Sequence, residues 1–156
     1  MYQSPIPYPY LPPGKQILYV PATDPFMAVA KELCESHTRF CRQPTVAVIV
    51  KDHRVIGVGK NGGENPPSVC KRKLLGCKTG EGYELCPGCD PRNHAESSAI
   101  AAAPLSDISG ADLYLYGHWW CCQPCWEVMT AAGIGNVYLV EGATETFNLS
   151  TELSRR

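Results

Sequence analysis

Residues 112–140 read DLYLYGHWWCCQPCWEVMTAAGIGNVYLV, and this stretch decides the fold that we predict. Its first five residues, Asp112 to Tyr116, are rich in aliphatic and aromatic side chains and predict a strand. Residues 123–132 predict a helix that Gly133 ends, and residues 136–140 predict another strand. Strands and helices in alternation are typical of an α/β sheet with helices packed on its faces.

The residues before this stretch extend the same architecture. Asp24 can cap a helix with Pro25 at its first position, and apolar residues at helical spacing carry that helix to about Phe40. A hairpin of two strands and a further helix follow, and these elements span residues 45–50, 55–59 and 95–103. This order predicts a mixed sheet with helices on both faces, so the expected fold class is α/β.

The chain divides into an arm and a domain. Residues 1–22 are rich in Pro and Tyr, and their prolines prevent a regular helix. We interpret them as an extended arm that is disordered or laid on the domain or a partner, with disorder favoured. Residues 23–156 fit one domain with one core, and residues 61–93 form a cysteine-rich loop within it. The residues from 141 onward are polar and weakly patterned.

Composition and charge exclude some functions. The formal net charge of -1 argues against a long nucleic acid as partner. We interpret the short basic cluster Lys71-Arg72-Lys73 as a solvated loop. We expect no membrane span and no signal peptide, because the sequence lacks a long apolar run and a basic segment followed by one. We therefore expect a cytoplasmic protein. The sequence has nine cysteines, and in a reducing compartment they favour thiolate metal sites over disulfides.

One constellation of residues has the chemistry of a catalytic zinc site. His94 comes directly before one predicted helix, and Cys122 and Cys125 open another. Imidazole and thiolate suit zinc, and thiolates are stabilised at a helix N-terminus. Three protein ligands leave the fourth position of zinc open for water, which distinguishes a catalytic site from a closed structural one.

Glu96 lies two residues after the histidine, so it can sit beside the metal without ligating it. A zinc-activated water needs a proton acceptor and a leaving amine needs a proton donor, and Glu96 can serve as both. This arrangement is typical of hydrolytic deaminases that act on nucleobases. A closed zinc-ribbon-like site or a redox pair formed by Cys122 and Cys125 are the alternatives.

These motifs resemble those of the cytidine and deoxycytidylate deaminase superfamily, and within it the deoxycytidylate deaminase group. The residues that carry the resemblance are Asn61-Gly62, His94-Ala-Glu-Ser-Ser-Ala-Ile100, Leu115-Tyr116 and Cys122-Gln-Pro-Cys125. The resemblance covers roughly residues 24–141. It implies a three-layer α/β/α fold with a five-stranded mixed sheet, and homo-oligomers whose sites lie near subunit interfaces.

The resemblance also implies roles for single residues. His94, Cys122 and Cys125 match the zinc ligands, and Glu96 matches the proton shuttle. The other matches concern the substrate: the backbone amide of Ala95 would contact a pyrimidine carbonyl, Asn61 the sugar, and Tyr116 the base. Alternatively, Asn61 is only a turn residue and Tyr116 only packs in the core.

This chain departs from the family pattern around the expected substrate pocket. Ser98 stands where the family commonly has Asn, and Cys121 stands where it has Pro before the first zinc cysteine. His118 replaces a common Thr, and Trp119 and Trp120 follow it. His118 could contact a phosphate or a base, and the two tryptophans could stack on a ring; packing is the alternative for all three.

A second group of cysteines lies in the loop before His94. The spacing C-x6-C-x8-C-x2-C fits a closed, tetrahedral structural zinc site formed by Cys70, Cys77, Cys86 and Cys89. Some members of the resembling group have a second zinc in this region. Free thiols or disulfides are the alternative, as is a site in which a histidine such as His53 replaces one cysteine.

We therefore expect a zinc-dependent enzyme with a small nucleotide as its substrate. The predicted reaction is hydrolytic deamination of a cytosine nucleotide, most simply dCMP to dUMP with release of ammonia. The alternatives are deamination of cytidine, of guanine or another purine, or of a base in nucleic acid, and a non-catalytic zinc scaffold of the same fold.

Overall fold

A computed structural model describes residues 8–40 and 42–148 of the chain. Residues 1–7 of the expected arm, Cys41 and residues 149–156 of the expected domain lie outside the described residues. The strands of the described part are Ile17–Val20 (β1), Val46–Lys51 (β2), Arg54–Lys60 (β3), Asp112–Tyr116 (β4) and Asn136–Val140 (β5). Its helices are Pro25–Glu35 (α1), Lys71–Leu74 (α2), Ala95–Ala102 (α3), Gln123–Ala132 (α4) and Ala143–Phe147 (α5).

The five strands form one mixed sheet in the order β1-β5-β4-β2-β3. β1, β5 and β4 run parallel, whereas β2 runs antiparallel to both β4 and β3. α1 packs on β2 and β4, and α3 packs on β2 and β3 and against α4. Residues 46–50 of β2 are all buried because helices cover both faces of the sheet. The predicted three-layer α/β fold with a five-stranded mixed sheet is confirmed.

The first helix is shorter than the sequence predicts. Asp24 caps it as expected, since its carboxylate accepts hydrogen bonds from the backbone N–H groups of Phe26 and Met27, both at 3.0 Å. The helix ends at Glu35 and not near residue 40. The imidazole of His37 hydrogen-bonds to the backbone carbonyl of Asn61 at 2.9 Å, which ties the chain beyond the helix to the end of β3.

Outside the cysteine-rich loop, two elements of the described chain lie where the sequence predicts none. β1 lies within residues 1–22, so the edge of the sheet is formed by a segment that we expected to be an arm. Four residues in a proline-rich segment are too few to show the alternating apolar pattern of a strand. β1 forms because its backbone pairs with that of β5. The disorder favoured for this segment is therefore wrong for β1, while the division into arm and domain stays a prediction. α5 is the second such element, and it lies in the weakly patterned C-terminal part.

The cysteine-rich loop contains only short elements, as its lack of periodicity suggests. Besides α2, it forms three turns of 3-10 helix, at Tyr83–Leu85, Pro87–Cys89 and Pro91–Asn93. The last of these leads directly into α3, so the loop determines how that helix begins. None of the helices described is long and apolar enough to cross a bilayer.

Candidate active site

The N-termini of two neighbouring helices bring the candidate metal ligands together. His94 is the residue before α3, and Cys122 is the residue before α4, each with an extended backbone that ends a loop. Pro124 occupies the first turn of α4, where its missing N–H costs nothing. Because α3 and α4 pack against each other, the two N-terminal ends meet.

The ligand atoms of this site lie close together. His94 Nδ1 is 3.4 Å from the Cys122 Sγ atom and 3.6 Å from the Cys125 Sγ atom. The other ring nitrogen, Nε2, donates a hydrogen bond to the backbone carbonyl of Cys89 at 2.9 Å. Since a carbonyl only accepts, Nε2 carries the proton and Nδ1 presents a lone pair to the two sulfur atoms.

This donor set fits a zinc ion. One imidazole nitrogen and two sulfur atoms, all within 4.8 Å of one another, are ligands that zinc prefers. A hydrogen bond from the Cys125 thiol, together with the His94 imidazole, holds the pKa of Cys122 well below its usual range. A ligating histidine commonly donates its other N–H to a carbonyl, as His94 does to Cys89.

Glu96 lies in the first turn of α3 beside this group and is not part of it. Its side chain is only 4% exposed. Burial raises the pKa of the Glu96 carboxyl to about 7, and the negative charge of Cys122 adds to the shift. The Cys121 thiol opposes this rise of the Glu96 pKa, so one departure from the family pattern affects this residue. A carboxyl with a pKa near neutrality can both accept and donate a proton.

A cavity opens beside Glu96 and His94, and several predicted substrate residues line it. Asn61, Ala95, His118 and Trp120 do so. Trp119 and Tyr116 are not among the lining residues. Trp119 is buried, with its ring 6.4 Å from the ring of Trp120, and Tyr116 packs edge-on against Phe147 at 5.2 Å. The other departures, Ser98 and Cys121, also lie outside the lining.

Asn61 and His118 have defined hydrogen-bonding roles at this cavity. The Asn61 carbonyl oxygen accepts from the Thr45 backbone N–H at 2.9 Å, and its amide donates to the Gln43 carbonyl at 2.8 Å. These hydrogen bonds use the Asn61 side chain to hold the end of β3. A contact between Asn61 and the sugar of a substrate therefore stays a prediction. His118 Nδ1 accepts from the Trp120 backbone N–H at 3.2 Å. Burial lowers the pKa of His118 to about 3, so its ring is neutral, and since Nδ1 accepts this hydrogen bond, Nε2 carries the proton.

Eight cavity residues have no counterpart among the sequence-predicted site residues, and four of them carry large side chains that matter below: Tyr8, Arg42, Arg72 and Tyr83. Arg72 belongs to the basic cluster that we interpreted as solvated, and this interpretation is wrong for Arg72, which is only 4% exposed. It turns inward because its guanidinium donates to the backbone carbonyls of Glu81 and Lys78, at 2.7 and 2.9 Å. The four residues come from the arm and the irregular loops, where no pattern marks them.

The second cysteine group is brought together in part. The Sγ atoms of Cys70, Cys86 and Cys89 lie within 4.8 Å of one another, with 3.8 Å between those of Cys70 and Cys89. Cys77 is buried in the same loop, and its sulfur is not part of this group. His53 lies in the turn between β2 and β3 and is not part of it either. These thiols supply three of the four ligands that a closed structural zinc site needs, and no fourth His, Cys, Asp or Glu ligand lies with them among the described residues.

A three-layer α/β/α fold with a His-Cys-Cys group and a buried glutamate at two helix N-termini defines the class of zinc-dependent base deaminases. The chain belongs to the cytidine and deoxycytidylate deaminase family, whose zinc-binding region matches residues 22–141. It is therefore an enzyme, a hydrolase of carbon–nitrogen bonds whose family implies zinc.

The relatives include enzymes from bacteriophages. The deoxycytidylate deaminase of Mycobacterium phage D29 is 35% identical over 104 residues, which are 62% of this chain and 77% of the relative. The crystal structure of dCMP deaminase from the cyanophage S-TIM5 in complex with dCMP and dUMP has the same fold, with a TM-score of 0.50 and 20% identity. That match covers 82% of this chain and 88% of the other. RibD of Acinetobacter baumannii matches at 21% identity with a TM-score of 0.45; 72% of this chain spans 26% of that chain.

Proposed function

We propose that this enzyme deaminates dCMP to dUMP and releases ammonia. The observation that carries the nucleotide assignment is the pair Arg42 and Arg72, which line the same cavity as Glu96. Neither arginine forms an ion pair with a carboxylate in the part of the chain that the structure describes. The phage D29 relative is a deoxycytidylate deaminase, and the S-TIM5 crystal structure contains dCMP and dUMP, which supports the same substrate.

Arg42 and Arg72 give this partly enclosed site a positive charge that suits an anionic group of the substrate. Burial lowers the pKa of the Arg42 guanidinium, and the nearby charge of Arg72 lowers it further. Arg42 donates to the Cys77 carbonyl at 2.6 Å, and Arg72 lies 4.3 Å above the Tyr83 ring, so both side chains are held in place. Guanidinium groups prefer phosphate oxygens as acceptors, and a 5′-phosphate distinguishes dCMP from cytidine.

At the reaction end, His94, Cys122 and Cys125 would hold the zinc ion. Bound zinc would supply the Lewis acidity that lowers the pKa of water to about 7. Glu96 would then move two protons, the first from the attacking water to N3 of cytosine and the second from the added hydroxyl to the departing amino group. Water adds its oxygen at C4, and the C4–N bond breaks to release ammonia. The backbone N–H of Ala95, at the first position of α3, would donate to the carbonyl at C2.

Removing the positive charge of Arg42 should weaken binding of dCMP without affecting cytidine. Because a hydrogen bond to a charged group contributes about 1.5–3 kcal/mol, we expect Arg42→Gln to raise KM for dCMP about tenfold or more. Arg42→Lys should recover part of the loss. The measurement is ammonia release by the zinc-loaded protein with dCMP, cytidine, purine nucleosides and free bases.

Arg54→Gln is the matched control, because Arg54 is exposed at the start of β3 and lies outside the cavity lining. Equal kcat/KM for dCMP and cytidine in the unmodified protein would refute the phosphate assignment. No turnover of any compound in the screen would favour a polynucleotide substrate or a non-catalytic scaffold.

A second, structural zinc is also proposed, held by Cys70, Cys86 and Cys89. Backbone N–H groups and the Cys86 and Cys89 thiols outweigh the effect of burial and lower the pKa of the Cys70 thiol, which favours a thiolate ligand. Since the Cys89 carbonyl also orients His94, a metal here would steady the catalytic ligand.

We expect Cys86→Ser to lower the bound zinc from about two ions per chain to about one, and to lower the melting temperature. Metal analysis of the purified protein measures the first effect and thermal unfolding the second. Cys34→Ala is the control, because the buried Cys34 thiol donates to the Pro44 carbonyl at 3.3 Å and belongs to neither cysteine group. Two zinc ions per chain in the Cys86→Ser protein would contradict the assignment.

A further inference from the structure

Part of the N-terminal segment lies on the cavity wall. The side chain of Tyr8 is one of the cavity-lining residues. Two residues later, the backbone carbonyl of Tyr10 accepts a hydrogen bond from Nε1 of Trp120 at 2.6 Å. Trp120 also lines the cavity, so this hydrogen bond joins the N-terminal segment to a residue of the cavity wall.

Tyr8 is surrounded by aromatic residues. Its hydroxyl is 2.9 Å from the hydroxyl of Tyr83, and its ring centroid lies 5.9 Å from that of His118 and 5.6 Å from that of Trp119. Tyr83 is itself held in place, because its hydroxyl accepts from the Gly80 backbone N–H at 3.2 Å. These contacts fix the plane and the position of the Tyr8 ring.

The surroundings of the Tyr8 hydroxyl place it at the reaction end of the cavity. The ring of Tyr83, its hydrogen-bond partner, meets the His94 ring edge-on at 5.1 Å. Tyr8 also lines the same cavity as His94 and Glu96. A ring at this place is therefore near the base of a bound nucleotide and not only near its phosphate.

Residues 8–11 do not pair with any strand of the sheet. Strand pairing begins only at Ile17, and the two hydrogen bonds given above, at the Tyr8 hydroxyl and at the Tyr10 backbone carbonyl, join the segment to residues that line the cavity. A segment that contributes a cavity wall but no strand pairing is suited to binding a ligand. This argument concerns residues 8–11, which the structure describes.

We propose that Tyr8 is a substrate-binding residue of this deaminase, whose ring forms the wall against which the pyrimidine packs. The proposal rests on the proposed function, because it assumes a cytosine base next to Glu96. Aromatic side chains recognise flat heterocycles by stacking or edge contact, and the effect does not depend on a phosphate. The N-terminal arm thereby becomes part of the substrate site.

The test compares Tyr8→Ala, Tyr8→Phe and Leu11→Ala in the full-length, zinc-loaded protein. We expect Tyr8→Ala to raise KM about tenfold for both dCMP and cytidine, and to weaken dUMP binding in calorimetry by a similar factor. Tyr8→Phe should stay within about threefold of the unmodified protein, because the ring remains and only a neutral hydrogen bond is lost. Leu11 is 44% exposed, lies in the same segment and does not line the cavity, so its truncation should change neither value.

Unchanged KM and unchanged dUMP binding in Tyr8→Ala would overturn the proposal. An effect in Tyr8→Phe as large as that in Tyr8→Ala would also overturn it, because the hydroxyl and not the ring would then be responsible. Melting temperatures and zinc contents of the three proteins show whether a loss reflects unfolding. If the unmodified protein accepts cytidine but not dCMP, the nucleotide assignment fails, while the comparison on cytidine still decides the role of Tyr8.

Discussion

Replacing Glu96 by Gln or Ala should remove deamination while leaving the zinc content unchanged. Glu96 is the only carboxylate among the described residues that line the cavity, and its pKa of about 7 suits it to carry protons from water to the base. Proton transfer by a positioned side chain contributes about 10²–10⁴-fold to a rate, and we expect kcat to fall by at least that much. The metal should stay, because His94, Cys122 and Cys125 form a group that does not include Glu96.

Ammonia release measures the first effect, and metal analysis of the same preparation measures the second. Glu127→Gln is the matched control, since Glu127 is an exposed residue of α4 whose carboxylate faces Gln123 at 3.5 Å. Full activity in the Glu96 variants would refute the proposed mechanism. Loss of zinc together with activity would show instead that the carboxylate supports the metal group.

The parts of the site that the sequence predicts are those fixed by local chemistry. His94 and Cys122 lie at helix starts because a helix N-terminus needs a residue with extended backbone before it, and the sequence marks both starts. Each helix then determines the placement of residues two or three positions further on, which locates Glu96 and Cys125. The fold is predictable for a similar reason, since the two strands and the helix from residue 112 to 140 have a clear apolar pattern.

The parts that the sequence does not predict depend on distant partners. β1 becomes a strand only by pairing with β5, which lies more than 100 residues away. Arg72 looks like one of three solvated basic residues until the backbone carbonyls of Glu81 and Lys78 turn it inward. Cysteine spacing alone does not tell which thiols converge, and Cys77 is not in the group formed by the other three. The oligomeric state and the cytoplasmic location stay predictions.

A second large effect is expected at Gly59, which lies on β3 beneath the helix that carries Glu96. A methyl group at this position would lie 2.1 Å from the Ala99 backbone nitrogen and 2.2 Å from the Ala95 carbonyl oxygen. Gly57, two residues earlier, makes a similar close approach to Ala99 and Ala103. Alternate glycines of a strand thus face small residues spaced four apart on α3, which lets the helix lie directly on the sheet.

We expect Gly59→Ala to lower the free energy of unfolding by about 3 kcal/mol, because the clash is with the helix backbone and no side chain can move aside. Since α3 begins at the metal group, a displaced helix should also bind zinc less tightly. Chemical denaturation and zinc titration measure the two effects.

Gly135→Ala is the control that separates this steric effect from the general cost of replacing a glycine. A methyl group on Gly135 would meet its nearest neighbour, the Gly110 carbonyl oxygen, at an ordinary 3.5 Å, and the site is exposed. That variant should change the free energy of unfolding by no more than about 0.5 kcal/mol. Equal stability of the two variants would contradict the close packing of α3 on β3, and with it the physical reason that Glu96 is held at the cavity.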